Sequence, residues 1–322
     1  MRVITQLTNV STARPLALAI GVFDGVHRGH QAVLRAVRDR AAAVGGEAWV
    51  LTFDPHPAAV VRPQSAPPAL LSTTGKVRRL AEVGMDGVVL QPFTPEFAAT
   101  PPLEFLEWLR RMLPNLCAIG VGSGWRFGRG GAGDVECLRT FAHAHGVEAI
   151  VVPPLSWRGE PISSTRIRLA VQIGRMEEAA AMLGYWHRVD GPVCTGQRIG
   201  HQLGFATANL AMAPGRVWPP YGVYAGWARW ELAGPSAWNA AAIYIGTRPT
   251  FGPHGEPALE AHLLDSNVEL YGQTLEVALA HFVRPDHAFA SLEELRDQIA
   301  RDVEQVRVRI AELSVDKPPE IE

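Results

Sequence analysis

Cysteine is scarce in this sequence: the 322 residues include three, and none of them forms a Cys-x-x-Cys pair. Cys117, Cys137 and Cys194 lie far apart along the chain. This distribution excludes a dense disulfide framework and a cysteine-based zinc site. It is typical of a reducing compartment, and we expect the cytoplasm.

Long hydrophobic runs and an excess of one charge are also missing. No stretch of about 18 apolar residues is present to span a bilayer, and the first residues lack the apolar core of a secretory signal. Lys and Arg number 30 and Asp and Glu number 32, for a formal charge of −2. We therefore expect neither a membrane nor a nucleic acid as partner, and small anionic ligands fit better than polymers.

The first half alternates short apolar runs with amphipathic segments, which predicts a parallel sheet covered by helices on both faces. The predicted strands are 16–20, 48–53, 87–90, 117–121 and 147–152, and the predicted helices are 30–44, 76–83, 103–112 and 134–145. The length and the hydrophobic fraction of 47% favour two globular domains.

From about residue 186 the pattern changes to short strands separated by Pro and Gly turns. The predicted strands are 191–194, 223–230, 240–245, 259–264 and 275–282, which indicate an antiparallel barrel or a sandwich. Ser291 and Glu294 then form a capping box for a terminal helix. Its apolar stripe is predicted to be core packing; the stripe consists of Leu292, Leu295, Ile299, Val303, Val306 and Ile310.

The turn at residues 21–30, Gly-Val-Phe-Asp-Gly-Val-His-Arg-Gly-His, joins the first predicted strand to the first predicted helix. His27 and His30 are three residues apart at a helix start, so their rings point the same way. Gly25 and Gly29 let a phosphate chain approach backbone N–H groups. A lone histidine here would be a capping or solvated residue, but this pair with its glycines predicts a nucleoside triphosphate site.

Two more strand ends face the same edge of the predicted sheet. Asp54 and His56 follow the second strand, and they either cap the next turn or line the same pocket. Residues 120–128, Gly-Val-Gly-Ser-Gly-Trp-Arg-Phe-Gly, contain Arg126 and Phe127 and suit a planar ring stacked against backbone. A buried Trp/Phe pair is the alternative reading of that segment.

Residues 162–168, Ile-Ser-Ser-Thr-Arg-Ile-Arg, form a third group. Ser163 or Ser164 can cap the following helix, and a cap needs only one hydroxyl. The remaining hydroxyls and the guanidinium groups of Arg166 and Arg168 are a dense set of phosphate donors. The segment therefore favours triphosphate binding over capping alone.

These motifs, in this order, resemble those of bifunctional bacterial riboflavin kinase/FAD synthetases. The resemblance runs from about residue 17 to about residue 302 and continues in the second half through segments 195–198, 203–209, 222–224, 245–251, 259–265 and 270–272. It implies a Rossmann-like α/β sheet of nucleotidyltransferase type over residues 1–185, the FAD synthetase domain. A smaller antiparallel β-barrel with a C-terminal helix, the riboflavin kinase domain, is implied over residues 186–322.

The resemblance implies that the first domain transfers AMP from ATP to FMN, yielding FAD and pyrophosphate. His27 and His30 would bind the triphosphate, and Arg168 with Ser164 and Thr165 would hold the phosphates, bridged by Mg²⁺. The other implied binding residues are Gly21, Phe23, Asp24, Gly25, Gly29, Asp54, His56, Arg126, Phe127, Ser163 and Arg166. The attacking FMN phosphate is already ionised, so the site needs alignment and charge neutralisation rather than a base.

The second domain is implied to phosphorylate riboflavin with ATP, giving FMN and ADP. Its nucleophile is a neutral ribityl hydroxyl, which benefits from a base, and Glu260 stands at the base position of the family. Thr207 and Asn209 are implied to bind Mg²⁺ and to contact ATP. Taken alone, Glu260 reads as a surface carboxylate of a strand.

Four positions depart from the family pattern. Ala206 replaces a proline before Thr207, His201 an arginine, Tyr244 an asparagine, and Gly124 an Asn or Asp. Three of these lie in the kinase half, which keeps three alternatives open: an adenylyltransferase alone, a second half that only binds or senses flavin, and a nucleotidyltransferase for another metabolite. Whether the chain forms a homo-oligomer is left open by the sequence.

Overall fold

The computed structural model describes residues 1–194, 205–230, 238–247, 257–266, 268–316 and 319. The chain forms two compact units. The first comprises Met1–Pro67 and Lys76–Ser163, and the second comprises Pro68–Gly75 and Ser164–Glu322.

The first unit is built on a six-stranded parallel sheet. Its strands are β1 Arg2–Ile4, β2 Leu16–Ile20, β3 Glu47–Asp54, β4 Gly87–Pro92, β5 Leu116–Gly122 and β6 Glu148–Val152. Their order across the sheet is β1-β4-β3-β2-β5-β6. All five residues of β2 are buried, as expected for a central strand covered on both faces.

Helices connect these parallel strands. Those of the first half are α1 Arg28–Ala43, α2 Pro57–Val61, α3 Thr73–Glu82, α4 Pro95–Ala98, α5 Pro102–Met112 and α6 Val135–Ala144. The apolar face of α1, which includes Val33 and Val37, packs on the sheet. Gly120 in β5 permits this approach, because a Cβ there would lie 2.1 Å from a Val37 methyl. A hairpin of β7 Ser156–Trp157 and β8 Glu160–Pro161 closes the unit.

The alternating pattern of the first half is confirmed, and each predicted strand and helix is present within three residues of its predicted ends. The short edge strand β1 was missed, since two of its three residues are exposed and carry no burial pattern. Strand β2 has β3 on one side and β5 on the other, so the direction of winding reverses there. Ligands of such sheets bind at this reversal, beyond the carboxyl ends of the strands.

The second unit contains a closed six-stranded antiparallel barrel, which excludes the sandwich alternative. Its strands are β9 His187–Cys194, β10 Ala208–Ala211, β11 Gly222–Trp230, β12 Asn239–Gly246, β13 Ala258–Leu263 and β14 Thr274–Pro285. Alternate apolar residues fill the interior, among them Leu210, Ile243, Leu259 and Val277. The helices of this unit are α7 Ser164–Gln172, α8 Met176–Leu183 and α9 Leu292–Ala311.

The capping box of α9 is confirmed, because the Ser291 hydroxyl accepts a 3.1 Å hydrogen bond from the Glu294 N–H. The stripe is core packing only in the second half of the helix, where Val306 is fully buried against the barrel. Leu292 is 52% exposed, so the prediction was wrong at that end. The helix contacts its hydrophobic cluster from Val303 onward, and its first turn lies outside that cluster.

Within the described ranges, no helix has both the length and the apolar character needed to cross a bilayer. Cys117, Cys137 and Cys194 are free thiols.

One buried histidine of the barrel unit has a pKa far from its usual value. His187 at the start of β9 is 1% exposed. Burial, with the charge of Arg216, lowers the pKa of His187 to about 3. In the part of the chain that the structure describes, its Nε2 has no hydrogen-bond partner. The folded barrel therefore holds this ring neutral under conditions in which an unfolded chain would protonate it.

Acid should destabilise the barrel partly through His187. Between pH 6.5 and about 3, His187 is protonated in the unfolded state and neutral in the folded state, so the free energy of unfolding falls as the pH falls. When the pH is lowered from 6.5 to 5, the unfolding free energy of the wild type should fall by about 2 kcal/mol more than that of the His187→Gln variant. Urea unfolding at both pH values measures this, and equal losses in the two proteins would contradict the assignment.

Candidate active sites

The predicted histidine turn lies between β2 and α1, at the winding reversal of the sheet. His27 is the N-cap of α1, and its Nδ1 accepts a 3.3 Å hydrogen bond from the His30 backbone N–H. A neutral His27 ring therefore carries its proton on Nε2. The two imidazoles stack with centroids 3.6 Å apart and an interplanar angle of 16°.

The backbone of this turn is unusual. Phe23, Gly25 and Val26 have φ values of 50°, 80° and 36°, and two of the three are not glycine. Such conformations persist only where the surroundings enforce them. Phe23 is buried and meets the His30 ring edge-on at 5.3 Å. A Cβ at Gly29 would lie 3.2 Å from the His27 ring, so this glycine makes room for the imidazole.

The remaining turn residues are enclosed as well. Asp24 is 4% exposed, and a Cβ at Gly21 would lie 3.2 Å from the Phe23 ring. Among the described residues, no hydrogen-bond partner is present for the enclosed Nδ1 of His30. Burial, the adjacent His27 and the charge of Lys76 hold the pKa of His30 well below its usual value. His30 is therefore a neutral ring with an unsatisfied nitrogen.

Lys76 is a buried cation beside the histidine turn that the sequence did not single out. It is 8% exposed, and its Nζ donates to the Val22 carbonyl at 3.2 Å and to Thr52 Oγ1 at 3.5 Å. Burial lowers the pKa of Lys76, against the opposing effect of the Asp24 and Asp54 carboxylates. The helical spacing contained a signal, because Lys76 shares the buried face of α3 with Leu80, four residues later.

The strand-end motif after β3 contains a second histidine cap. His56 Nδ1 accepts a 3.0 Å hydrogen bond from the Ala58 N–H at the start of α2, which confirms the capping reading for this residue. Asp54 is exposed at the end of β3. Capping occupies one ring nitrogen only, so a binding role for His56 remains a prediction.

The segment after β5 contains the Trp/Phe pair, in which Phe127 is buried and Trp125 is partly buried. Phe127 is 7% exposed and stacks on Trp125 at 4.3 Å with an interplanar angle of 13°. The Arg126 guanidinium lies 3.2 Å from the Asp134 carboxylate on the surface. A Cβ at Gly124 would meet no atom within 4 Å, so packing does not require glycine there. Flavin binding by Arg126 and Phe127 stays a prediction.

The serine- and arginine-rich segment divides between the units. Ser163 ends the first unit, and α7 begins at Ser164 in the second, with Thr165 and Arg166 in its first turn. Arg168 is 8% exposed, and its Nε donates to the Pro68 carbonyl of the same unit at 2.7 Å. Phosphate binding by this segment remains a prediction.

The barrel brings the predicted kinase residues together. The Thr207 hydroxyl donates to Glu260 Oε2 at 3.4 Å, and Asn209 stands directly opposite Glu260 in the β10/β13 register. The flanking Leu210 and Leu259 are in the barrel core, so alternation places Asn209 and Glu260 on the outer face. Thr207 and Asn209 also line a cavity of about 470 Å³. Strand β10 was not predicted as a strand, although its residue Asn209 was predicted as a site residue.

Two departures from the family pattern have visible contacts. The Ala206 carbonyl accepts a 2.8 Å hydrogen bond from His262 Nδ1, which holds the chain just before Thr207. Tyr244 stands opposite Glu260, and its hydroxyl donates to Asp286 Oδ2 at 3.0 Å. His201 and the motif segments 195–198 and 248–251 lie outside the described residues, as do residues 203 and 204.

A divalent cation fits the donors at β10. Thr207 and Asn209 offer neutral oxygens beside the Glu260 carboxylate, the oxygen-rich chemistry that a hard cation prefers. The described segments contain no group of three or more His, Cys, Asp or Glu side chains able to hold a metal ion. A cation at β10 would thus depend on few protein ligands, as is usual where substrate phosphates supply the others.

Family models match both halves of the chain. A model described as FAD synthetase matches residues 9–166, and one described as riboflavin kinase matches residues 183–310. The relatives include the bifunctional riboflavin kinase/FMN adenylyltransferases of Escherichia coli, 34% identical over 94% of this chain and 96% of the relative, and of Bacillus subtilis, 30% identical over 89% and 90%.

A solved structure shares the architecture over nearly the whole length. A protein from Streptococcus pneumoniae, described as a macrolide-efflux protein, matches with a TM-score of 0.81 and 28% identity, over 95% of this chain and 98% of the other. The two family models and the bifunctional relatives name the same pair of activities. The chain belongs to the bifunctional riboflavin kinase/FMN adenylyltransferase family.

Proposed function

We propose that this chain makes FAD from riboflavin in two ATP-dependent steps. Riboflavin and ATP give FMN and ADP, and FMN and a second ATP give FAD and pyrophosphate. The observation that carries the proposal is the presence, in one chain, of the His27/His30 stack at a sheet reversal and the Thr207, Asn209 and Glu260 group on a closed barrel. Each group lies in the half whose family model has the corresponding activity.

The first half needs no base, because the attacking FMN phosphate oxygen is already ionised. His27 presents Nε2–H, since its Nδ1 is occupied by the helix cap. His30 has an enclosed nitrogen that a ligand atom would satisfy. The rings neutralise charge on the triphosphate and on the departing pyrophosphate. For Arg168, Ser164 and Thr165 the role we propose is phosphate binding. Asp24, Asp54, Arg126 and the glycines of the turn shape the nucleotide and flavin pocket.

The second half needs a base, because a ribityl hydroxyl is neutral. Glu260 accepts that proton as the oxygen attacks the terminal phosphorus of ATP. The Thr207 hydroxyl already contacts the Glu260 carboxylate, which orients the carboxylate on the outer face of the barrel. Asn209, directly opposite Glu260, contacts the ATP phosphates.

Magnesium is the cation we assign to both steps. Thr207 and Asn209 would hold it in the kinase half, and it would supply charge neutralisation on the ATP phosphates there. In the adenylyltransferase half it would supply charge neutralisation on the triphosphate of ATP. The preference of Mg²⁺ for oxygen ligands and for phosphates, with few protein contacts, supports this choice over softer metals.

We place the boundary between the two activities at residues 185 and 186. The riboflavin kinase model begins at residue 183, near this point. Helices α7 and α8 precede the boundary but belong to the compact unit of the barrel. Free cysteines and the near-neutral charge support a cytoplasmic location without nucleic acid or membrane partners.

A flavin conversion assay tests the two-step function. The purified protein is incubated with riboflavin, ATP and Mg²⁺, and the flavins are separated by chromatography. We expect FMN first and then FAD. FAD that forms only from added FMN would restrict the function to the first half, and no conversion of either flavin would refute it.

Replacing His30 should abolish only the second step. We expect His30→Ala to lower the rate of FAD formation from FMN by about 100-fold or more, because a preorganised phosphate contact is lost. Riboflavin phosphorylation should stay within about twofold, since His30 lies in the other unit. The exposed His143→Ala in the same unit is the matched control. Equal loss of both activities would contradict separate sites.

Replacing Glu260 should have the opposite effect. Glu260→Gln keeps the size of the side chain but cannot take a proton, so riboflavin phosphorylation should fall by about 100- to 10,000-fold. FAD formation from FMN should be unchanged. The exposed Glu312→Gln serves as control. Rapid phosphorylation by the Glu260→Gln enzyme would exclude Glu260 as the base.

A further inference from the structure

Lys76 stands out because a buried cation is costly and no motif accounts for it. The residue is 8% exposed on α3, with neighbours of low exposure such as Leu80 on the same helix face. An ammonium removed from water loses solvation unless contacts replace it, and an apolar side chain would fill the same space at lower cost. A buried charge in a strand-end pocket is typical of functional sites.

The contacts of Lys76 converge on a single backbone carbonyl. Its Nζ donates to Val22 O at 3.2 Å, and Thr52 Oγ1, which receives a second contact from Nζ, donates to the same carbonyl at 2.9 Å. Val22 immediately precedes Phe23, the first residue of the turn with positive φ. Farther along, the Val26 carbonyl accepts a hydrogen bond from Gln31 Nε2 at 2.8 Å. The turn is therefore fixed at both ends.

We propose that Lys76 is a positioning residue of the adenylyl-transfer site, whose buried ammonium holds the Val22 carbonyl and thereby fixes the turn that carries His27 and His30. The inference rests on the proposed function of that turn. Without the ammonium, Phe23 and Val26 lose part of what enforces their left-handed backbone. The stacked rings then lose the fixed geometry that alignment of a triphosphate requires.

The charge of Lys76 has a second effect, on the protonation of His30. The charged or titratable groups that act on His30 are the stacked His27 and Lys76, and Asp24 and Asp54 act in turn on Lys76. Lys76 adds to burial and His27 in lowering the pKa of His30. Loss of the cation should therefore let His30 take a proton at higher pH, an effect that simple loosening of a helix would not produce.

The Lys76→Met variant tests the inference by two readouts. We expect kcat for FAD formation from FMN to fall by about 100-fold, with riboflavin phosphorylation within about twofold of wild type. The pKa of His30, followed by NMR of its ring signals and assigned with His30→Ala, should rise, because the Lys76 charge that helps to lower it is removed. FAD formation at the wild-type rate, or an unchanged pKa of His30, would overturn the proposal.

Two further variants separate positioning from general stability. Leu80→Val trims a fully buried side chain on the same helix and should leave the pKa of His30 unchanged. A shift in that variant would attribute the effect to helix displacement and refute the proposal. Lys76→Arg keeps the charge and should recover part of the FAD rate with the His30 pKa near wild type. If Lys76→Met does not fold, Lys76→Arg provides the test. Because this variant keeps the positive charge, a His30 pKa above the wild-type value would refute the proposal.

The wild-type assay distinguishes the two levels of inference. A wild-type protein that makes no FAD from FMN would refute the proposed function. The positioning role would then be tested by the His30 pKa alone, and an unchanged pKa in Lys76→Met would refute it. A wild-type protein that makes FAD, beside an equally active Lys76→Met, would refute the positioning role alone.

Discussion

The hydrogen bond from the His30 backbone N–H to His27 Nδ1 fixes three features of the turn between β2 and α1 together. It starts α1, because an N-cap acceptor satisfies one of the free N–H groups of the first turn. It places the proton of a neutral His27 on Nε2, away from the helix. It also brings the two rings into contact, since a cap residue and its third successor lie side by side on the first turn. Helix initiation, the tautomer of His27 and the stacking of the two rings thus depend on one interaction.

Several residues around that hydrogen bond are held in conformations or environments that are individually unfavourable. Phe23 and Val26 adopt left-handed backbone conformations, Lys76 is a buried cation, and the Nδ1 of His30 is enclosed and unsatisfied. Each feature is unfavourable in isolation. The two backbone conformations and the His30 nitrogen belong to the turn at the reversal of the sheet, and Lys76 on α3 contacts that turn through the Val22 carbonyl. The rest of the unit has a regular apolar core. This concentration of unfavourable features is what a binding site for a highly charged ligand requires.

The two halves solve different chemical problems with different architectures. A phosphate nucleophile needs alignment and positive charge, and the parallel sheet supplies a cluster of strand ends for that purpose. A hydroxyl nucleophile needs a base held near a cation site. The residues to which we assign that chemistry are brought together by register: Asn209 and Glu260 are paired across β10 and β13, and Thr207 contacts Glu260. Ala206 stands where the resemblance leads us to expect a proline. The contact of His262 Nδ1 with the Ala206 carbonyl restrains the chain segment in which this residue lies.

The sequence by itself determined the two-part organisation, most of the longer strands and helices, and the motifs. Apolar periodicity follows directly from which faces are buried, so strands such as β2 and helices such as α1 were predictable to within a few residues. It did not reveal β10, whose four residues are too few for a periodic pattern, nor the exposure of Leu292. Lys76 was also missed, because a lysine in an amphipathic helix is normally solvated. Only the tertiary structure decided that it is buried under the Val22 carbonyl, that Phe127 packs on Trp125, and that Glu260 faces Asn209. The Lys76–Val22 and Glu260–Asn209 contacts join residues distant in sequence, which local pattern cannot encode. Trp125 and Phe127 are neighbours in one loop, and the apolar pattern does not specify how their rings are oriented.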